Sequence, residues 1–116
     1  MPLKIKRAYD PPSRSDGKRI LVDRLWPRGM KKEALALDGW MKEIAPSPEL
    51  RTWFGHKPER FAEFRKRYRA ELKQHAELVA ELRGLAKTGT LTLVYGARDE
   101  VHNGAVVLRD VVAGGA

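Results

Sequence analysis

The segment DRLWPRGM, residues 23–30, places an acid, two arginines and a tryptophan directly after the apolar residues 20–22. Guanidinium groups bind phosphate and carboxylate through paired hydrogen bonds, and a partly desolvated carboxylate beside them can act as a base. A similar pattern follows the apolar residues 91–95, where Arg98, Asp99, His102 and Asn103 occur together. Histidine exchanges a proton near neutral pH. The two segments therefore predict anion binding and proton exchange where two strands end.

Three strands are predicted to carry these segments. Leu3, Ile5 and Arg7 alternate with lysines, which indicates an edge strand, and residues 20–22 and 90–95 are apolar strand cores. The short connection between the first two strands favours antiparallel pairing. Helical sequence between the second and third strands indicates a βαβ unit, whose strands run parallel. The predicted fold class is therefore α/β, with a small, mostly parallel three-stranded sheet and helices packed on it.

Helices are predicted in four places. A first helix over residues 31–45 follows from the spacing of Leu37, Trp40, Met41 and Ile44. Ser47 as an N-cap, proline at the next position and Gly55 at the C′ position indicate a short second helix. A third helix begins near residue 58 and keeps one apolar stripe for about six turns. Residues 105–112 favour a last helix, although their valines also suit a strand.

The composition is that of one compact α/β domain over residues 1–116. With 42% hydrophobic and 33% charged residues the chain is neither disordered nor built to cross a membrane, since no apolar run approaches about 20 residues. It has no cysteine for disulfides, and its first residues lack the apolar stretch of a signal peptide. We therefore expect a cytoplasmic protein without a membrane partner.

The carboxyl ends of parallel strands face the same way, and ligands of open α/β sheets bind outside those ends. We predict a crevice there that holds a phosphorylated or carboxylated small molecule. The residues assigned to the anion are Arg24, Arg28, Arg98 and Asn103. The residues assigned to proton exchange or catalysis are Asp23, His56 and His102. The residues assigned to a lid or to packing are Trp26 and Trp53.

Each of these assignments has a structural alternative. Asp23 and Arg24 could pair with the charges of the other loop in a purely structural network. Asn103 could simply cap the last helix. The three histidines lie far apart without HxxH spacing, so no metal site is predicted, and no glycine-rich phosphate loop or nucleophilic cysteine is visible. The cofactor, the reaction and the question of whether the protein is an enzyme stay open.

The formal charge of +8 attracts anionic partners of other kinds. A basic run at residues 65–69 supports an alternative function, a nucleic-acid-binding module that uses the helix around residues 60–73. Such binding would weaken with salt. Glutamates at helical spacing make a solvated helix face the plainer interpretation. An acidic protein partner is a third possibility.

Three stretches, residues 21–30, 42–68 and 91–110, resemble the YeaO-like family, small bacterial proteins grouped as a domain of unknown function. The motifs are DRLWPRG, the APS-x-ELR-x-WFGH segment and the strand followed by His102-Asn103. The resemblance covers nearly the whole chain and implies a compact α/β fold with no established activity. Members often carry HNHA, whereas Gly104 follows Asn103 here. This difference weakens any mechanism that needs two histidines.

Overall fold

The computed structural model describes residues 2–114, whose strands form a four-stranded sheet. The strands are β1 (Leu3–Arg7), β2 (Lys18–Leu21), β3 (Gly39–Trp40) and β4 (Leu91–Tyr95). Their order is β1-β4-β2-β3, and every neighbouring pair is parallel. The prediction of a parallel sheet with helices is confirmed, but the sheet has one strand more than expected.

Helices pack on both faces of the sheet. They are α1 (Lys32–Leu35), α2 (Pro48–Phe54), α3 (Phe61–Lys73), α4 (Ala76–Thr88) and α5 (Gly104–Val112). The helices α2 to α5 cover the face of the sheet that holds most of the core, and α1 lies over the other face. Short 3-10 turns occur at Arg14–Asp16, Lys42–Ile44 and Pro58–Arg60. The α2 helix has Ser47 as its N-cap and Gly55 in the left-handed conformation after it, as predicted. The last segment is a helix and not a strand.

The predicted antiparallel pairing of the first two strands is wrong. The β4 strand lies between β1 and β2 and runs parallel to both, so that Leu91 is the register partner of Leu3 on one side and of Lys18 on the other. The connection over residues 8–17 therefore returns to the opposite end of the sheet. Ten residues reach about 33 Å when extended, which suffices to cross one intervening strand.

The predicted helix over residues 31–45 is also wrong. The α1 helix ends after one turn at Ala36, which is left-handed (φ 48°), and the chain then adds β3 to the sheet edge. Asp38 causes this change, because its carboxylate accepts the Arg19 N–H at 2.8 Å and its own N–H donates to the Arg19 carbonyl, also at 2.8 Å. These two hydrogen bonds to β2 compete with the hydrogen bonds of a continued helix. The helical spacing of the apolar residues therefore does not determine the structure of this segment.

The predicted long third helix is divided into α3 and α4 around His75. Residues 61–88 as one straight helix would extend about 42 Å. The longest dimension of the protein is 35 Å. A bend at residues 74–75 lets both halves bury their apolar stripe against the same core, with Tyr68 and Leu82 fully buried. No glycine or proline marks this position in the sequence.

The main core lies between the sheet and α2 to α5, and a smaller cluster occupies the other face of the sheet. All five residues of β4 are buried, which is typical of a central parallel strand covered on both faces. The smaller cluster consists of Ala8, Leu21, Leu35 and Val94. Because β4 pairs with β2, the polar loops that leave these two strands lie next to each other.

Candidate functional site

A crevice with a cavity volume of about 710 Å³ opens at the carboxyl ends of β2 and β4. This volume lies within the range of roughly 300–1,000 Å³ found for small-molecule sites. The loops after both strands, the α2 helix and the first turn of α5 line it. Of the residues assigned from sequence, those in the lining are Asp23, Arg24, Trp26, Arg28, His56, Arg98 and Asn103. His102 and Trp53 lie outside it.

Asp23 joins the two loops. Its Oδ2 atom accepts the Gly96 N–H at 2.7 Å, and a Cβ at Gly96 would come to 3.3 Å from that oxygen. Burial raises the pKa of the Asp23 carboxyl, and the Gly96 N–H, Arg51 and His56 partly oppose that rise. The other oxygen, Oδ1, accepts no hydrogen bond from any residue the structure describes. Asp23 therefore has one structural oxygen and one oxygen available to the crevice.

The guanidinium group of Arg24 is largely occupied by hydrogen bonds to backbone carbonyls. Its Nε donates to the Pro46 carbonyl at 3.4 Å and its Nη2 donates to the Ala45 carbonyl at 3.3 Å. These bonds hold the turn that leads into α2. Arg24 is therefore mainly a positioning residue, and it has less capacity left for an anion than the other arginines of the crevice.

Arg28, Arg51 and Arg98 are exposed and line the crevice from three different segments. Among residues 2–114, none of the three has a carboxylate within 4.0 Å. Arg51 was missed at the sequence level because it occupies the polar face of a short helix. No local pattern distinguishes it, and only the packing of α2 beside the β2 loop brings it to the crevice.

The hydrogen bonds of Ser47 position Arg51 through the first turn of α2. The Ser47 hydroxyl accepts the Leu50 N–H at 3.2 Å and donates to Glu71 of α3 at 2.6 Å. The backbone N–H of Ser47 donates to the same carboxylate at 2.9 Å. This cap ties the helix that carries Arg51 to the long helix behind it.

We expect Ser47→Ala to lower the free energy of unfolding by about 1–2 kcal/mol, because the substitution removes the N-cap and one hydrogen bond to Glu71. Urea denaturation followed by circular dichroism measures this change. Thr52→Ala is the matched control, since Thr52 is exposed on the same helix and makes no side-chain hydrogen bond to a described residue. Equal stabilities of the two variants would contradict the role of the cap.

Asp99 and His102 form a pair beside the crevice. The Asp99 carboxylate accepts the N–H groups of Val101 and His102, each at 2.9 Å, and contacts the His102 ring at Nδ1, also at 2.9 Å. These hydrogen bonds, first that of the His102 N–H, hold the pKa of Asp99 at about 2. The His102 ring meets the edge of Phe61 with centroids 5.2 Å apart. Any proton exchange by His102 would therefore occur outside the lining.

Asn103 is the N-cap of α5, which is one of the two roles predicted for it. Its side-chain oxygen accepts the Val106 N–H at 2.9 Å and its amide donates to the Asp99 carbonyl at 2.8 Å. The residue is buried and lies in the crevice wall together with Gly104 and Ala105. Asn103 therefore holds the amino terminus of α5 against the crevice.

The two tryptophans assigned to a lid or to packing differ in position. Trp26 lies at the rim, donates from Nε1 to the Met30 carbonyl at 2.7 Å and contacts Trp40 edge-on at 5.4 Å. Tyr9 donates to the Arg28 carbonyl at 3.0 Å and braces the same loop. Trp53 instead lies away from the crevice, with guanidinium groups over its ring. These belong to Arg60 and Arg67, at 5.3 and 4.3 Å.

Two arginines of α3 lie beside acidic side chains, one in the same helix and one in α5. Arg67 pairs with Glu63 at 2.9 Å, and Arg65 lies 3.9 Å from Asp110.

Within residues 2–114 no group of three or more histidine, aspartate or glutamate side chains could hold a metal ion. Over the same residues, no helix is long and apolar enough to span a membrane.

The parallel sheet and the crevice at its carboxyl edge define a small α/β protein with a candidate ligand site between two strand loops and two helices. The chain belongs to the family described as the inactive DUF488-N3 subclade, whose family model matches residues 2–115.

Two relatives support the same family. The chain is 53% identical over 110 residues to the uncharacterized protein YeaO of Escherichia coli (strain K12), covering 95% of this chain and 96% of the relative. It is 42% identical over 112 residues to the uncharacterized protein Rv3073c of Mycobacterium tuberculosis (strain ATCC 25618 / H37Rv), covering 97% and 94%. No solved structure matches the chain. The resemblance to YeaO-like proteins is therefore confirmed.

Proposed function

We propose that the protein binds a small phosphorylated or carboxylated molecule in the crevice at the carboxyl ends of β2 and β4. The proposal concerns binding and requires no chemical step. It fits the description of the family as inactive.

The observation that carries the proposal is the placement of Arg28, Arg51 and Arg98 on one crevice without an acidic partner within 4.0 Å among the described residues. Like charges gathered on one concave surface repel one another, and an anion between them relieves that repulsion. Planar guanidinium groups also offer the paired donors that phosphate and carboxylate accept.

The acids of the crevice do not neutralise these arginines at ion-pair distance. One oxygen of Asp23 accepts the Gly96 N–H, and Asp99 is engaged with residues 101 and 102. The first turn of α5 forms part of the crevice wall at Gly104 and Ala105, and the positive end of the helix dipole there favours an anion. The local field of the crevice is therefore expected to be positive.

Calorimetric titration with inorganic phosphate and pyrophosphate at low ionic strength tests this proposal. We expect Arg51→Ala and Arg98→Ala each to weaken pyrophosphate binding about tenfold or more, since a hydrogen bond to a charged group contributes about 1.5–3 kcal/mol. Arg14→Ala is the matched control, because it removes the same charge from an exposed arginine outside the crevice. Equal losses in all three variants would show that only the overall charge matters and would contradict a crevice site.

Nucleic-acid binding through α3 is the alternative. Arg65 and Arg67 already have acidic partners, and Arg60 and Arg67 lie over Trp53, so no observation favours it over the crevice. An oligonucleotide titrated at two salt concentrations separates the two functions. Salt-sensitive binding that Lys66→Ala weakens and Arg51→Ala leaves unchanged would support the helix instead.

A further inference from the structure

Exposed apolar side chains gather at the mouth of the crevice. Of the large hydrophobic residues that are exposed within residues 2–114, Tyr9, Leu25 and Trp26 line the crevice, and Val101 lies outside its lining. Tyr9, Leu25 and Trp26 form the apolar rim of the crevice. Leu25 is 57% exposed, although leucine is a residue type that is usually buried. Exposed apolar side chains that occur together beside polar residues mark interaction sites, whereas scattered ones do not.

Internal contacts fix the two aromatic rings of the apolar rim. The Tyr9 hydroxyl donates to the Arg28 carbonyl at 3.0 Å, and Nε1 of Trp26 donates to the Met30 carbonyl at 2.7 Å. Trp26 also meets the ring of Trp40 edge-on. The polar atoms of both rings therefore have partners, and a bound molecule can cover the apolar parts without leaving a donor unsatisfied. Because the rings are already held, little conformational freedom is lost on binding.

The crevice beside the apolar rim carries an excess of arginine. Among residues 2–114, four arginines and two aspartates line the crevice. Arg28, Arg51 and Arg98 have no carboxylate within 4.0 Å among these residues. Tryptophan, tyrosine and arginine are the residue types enriched at the energetic centres of protein interfaces. The positive charge of this surface complements an acidic partner and steers its approach.

We infer that the apolar rim and the neighbouring arginines dock an acidic segment of a protein partner. An apolar side chain of that segment covers Leu25 and Trp26, and its carboxylates meet Arg28 and Arg98. The inference goes beyond the proposed function, since a small anion needs the arginines but not the apolar rim. It assigns a defined surface to the acidic protein partner that the net charge of +8 favours.

Two other occupants fit this surface less well. A second copy of the chain also has a net charge of +8, so two copies repel each other. A nucleic-acid strand stacks its bases on open aromatic faces. Arg7 already lies over the ring of Tyr9, 5.3 Å from the centroid, and the most exposed member of the apolar rim is Leu25, which is aliphatic. Both features favour the side chains of a protein over bases.

Selection of random short peptides displayed on phage, with the full-length protein as the target, tests this inference. We expect the enriched peptides to combine aspartate or glutamate with leucine or an aromatic residue. A synthetic copy of an enriched peptide, titrated by fluorescence polarisation, should bind Leu25→Ser about tenfold or more weakly than the wild type, because the substitution removes apolar contact surface. Amides in place of the carboxylates of the peptide should weaken binding about tenfold as well.

Val101→Ser is the matched control for Leu25→Ser. Val101 is 63% exposed but lies outside the crevice lining, so its substitution should change the affinity for the peptide by less than about threefold. Equal losses of affinity in the two serine variants, or enrichment of peptides without acidic residues, would overturn the inference. Absence of any enriched peptide would overturn it as well.

Pyrophosphate affinity separates this inference from the proposed function. Both serine variants should bind pyrophosphate within about threefold of the wild type, since neither substitution removes an arginine. Peptide binding that depends on Leu25, without any binding of pyrophosphate, would support the docking surface and overturn the proposed function. Binding of an oligodeoxythymidine that Leu25→Ser abolishes would assign the apolar rim to nucleic acid. A dimer in sedimentation velocity that Leu25→Ser dissociates would assign it to a second copy, and either result would overturn the inference.

Discussion

Arg19→Met is expected to lower the free energy of unfolding by about 3 kcal/mol or more, because it removes one partner of a buried ion pair. Arg19 is 3% exposed, and its Nη1 donates to Asp16 at 2.7 Å. Its Nε and Nη2 both donate to the Leu35 carbonyl, at 3.0 and 2.9 Å. Methionine keeps most of the apolar stem and leaves the acceptors on Asp16 and Leu35 without these donors.

The buried carboxylate of Asp16 makes the expected loss of stability in Arg19→Met large. Burial would raise the pKa of its carboxyl, but the Ser13 N–H, Lys6, Arg19 and the Ser13 hydroxyl together hold it at about 2. The carboxylate therefore stays charged in the folded protein at neutral pH. Among the residues that the structure describes, Arg19→Met leaves that charge with only Lys6 as a cationic partner.

Chemical denaturation at neutral pH measures the effect of Arg19→Met. Arg14→Met is the control, since Arg14 is exposed in the preceding turn and its loss should change stability by no more than about 0.5 kcal/mol. A loss below about 1 kcal/mol for Arg19→Met would mean that the buried pair contributes little to stability.

Gly17→Ala is expected to lower the free energy of unfolding by about 3 kcal/mol or more, through backbone strain and steric overlap. Gly17 has φ +63°, and an added Cβ would lie 2.2 Å from the Thr90 carbonyl oxygen. That oxygen accepts the Lys18 N–H at 3.0 Å as β2 begins beside β4. Neither backbone can move away without breaking this contact between the two strands that carry the crevice loops.

Gly84→Ala is a control for which we expect the opposite change in the free energy of unfolding. Gly84 lies within α4, is exposed, and has no atom within 4 Å of an added Cβ. Alanine there should raise the free energy of unfolding by about 0.5–1 kcal/mol, because glycine is the poorer helix former. Thermal unfolding of both variants gives the comparison, and a stable Gly17→Ala protein would show that the β2–β4 junction tolerates a side chain.

Most of the elements beside the crevice follow from local sequence. The apolar residues 20–22 and 91–95 become the central strands, Ser47 and Asn103 cap the helices that face the crevice, and the polar loops after β2 and β4 meet as predicted. These features depend on near neighbours in the chain, since strand pattern and capping are satisfied within a few residues. Placement of Asp23, Arg28 and Arg98 on one crevice then follows from the parallel βαβ arrangement.

Contacts between distant residues determine the rest. Asp38 binds the backbone of Arg19 and converts part of a helical pattern into β3, the limited length of the core bends residues 61–88 into two helices, and β4 inserts between β1 and β2. Contacts between distant residues also place Arg51 at the crevice and Trp53 away from it. Hydrogen bonds and burial across the sheet outweigh local propensities of a few tenths of a kcal/mol per residue, and these long-range partners are not visible from spacing along the chain.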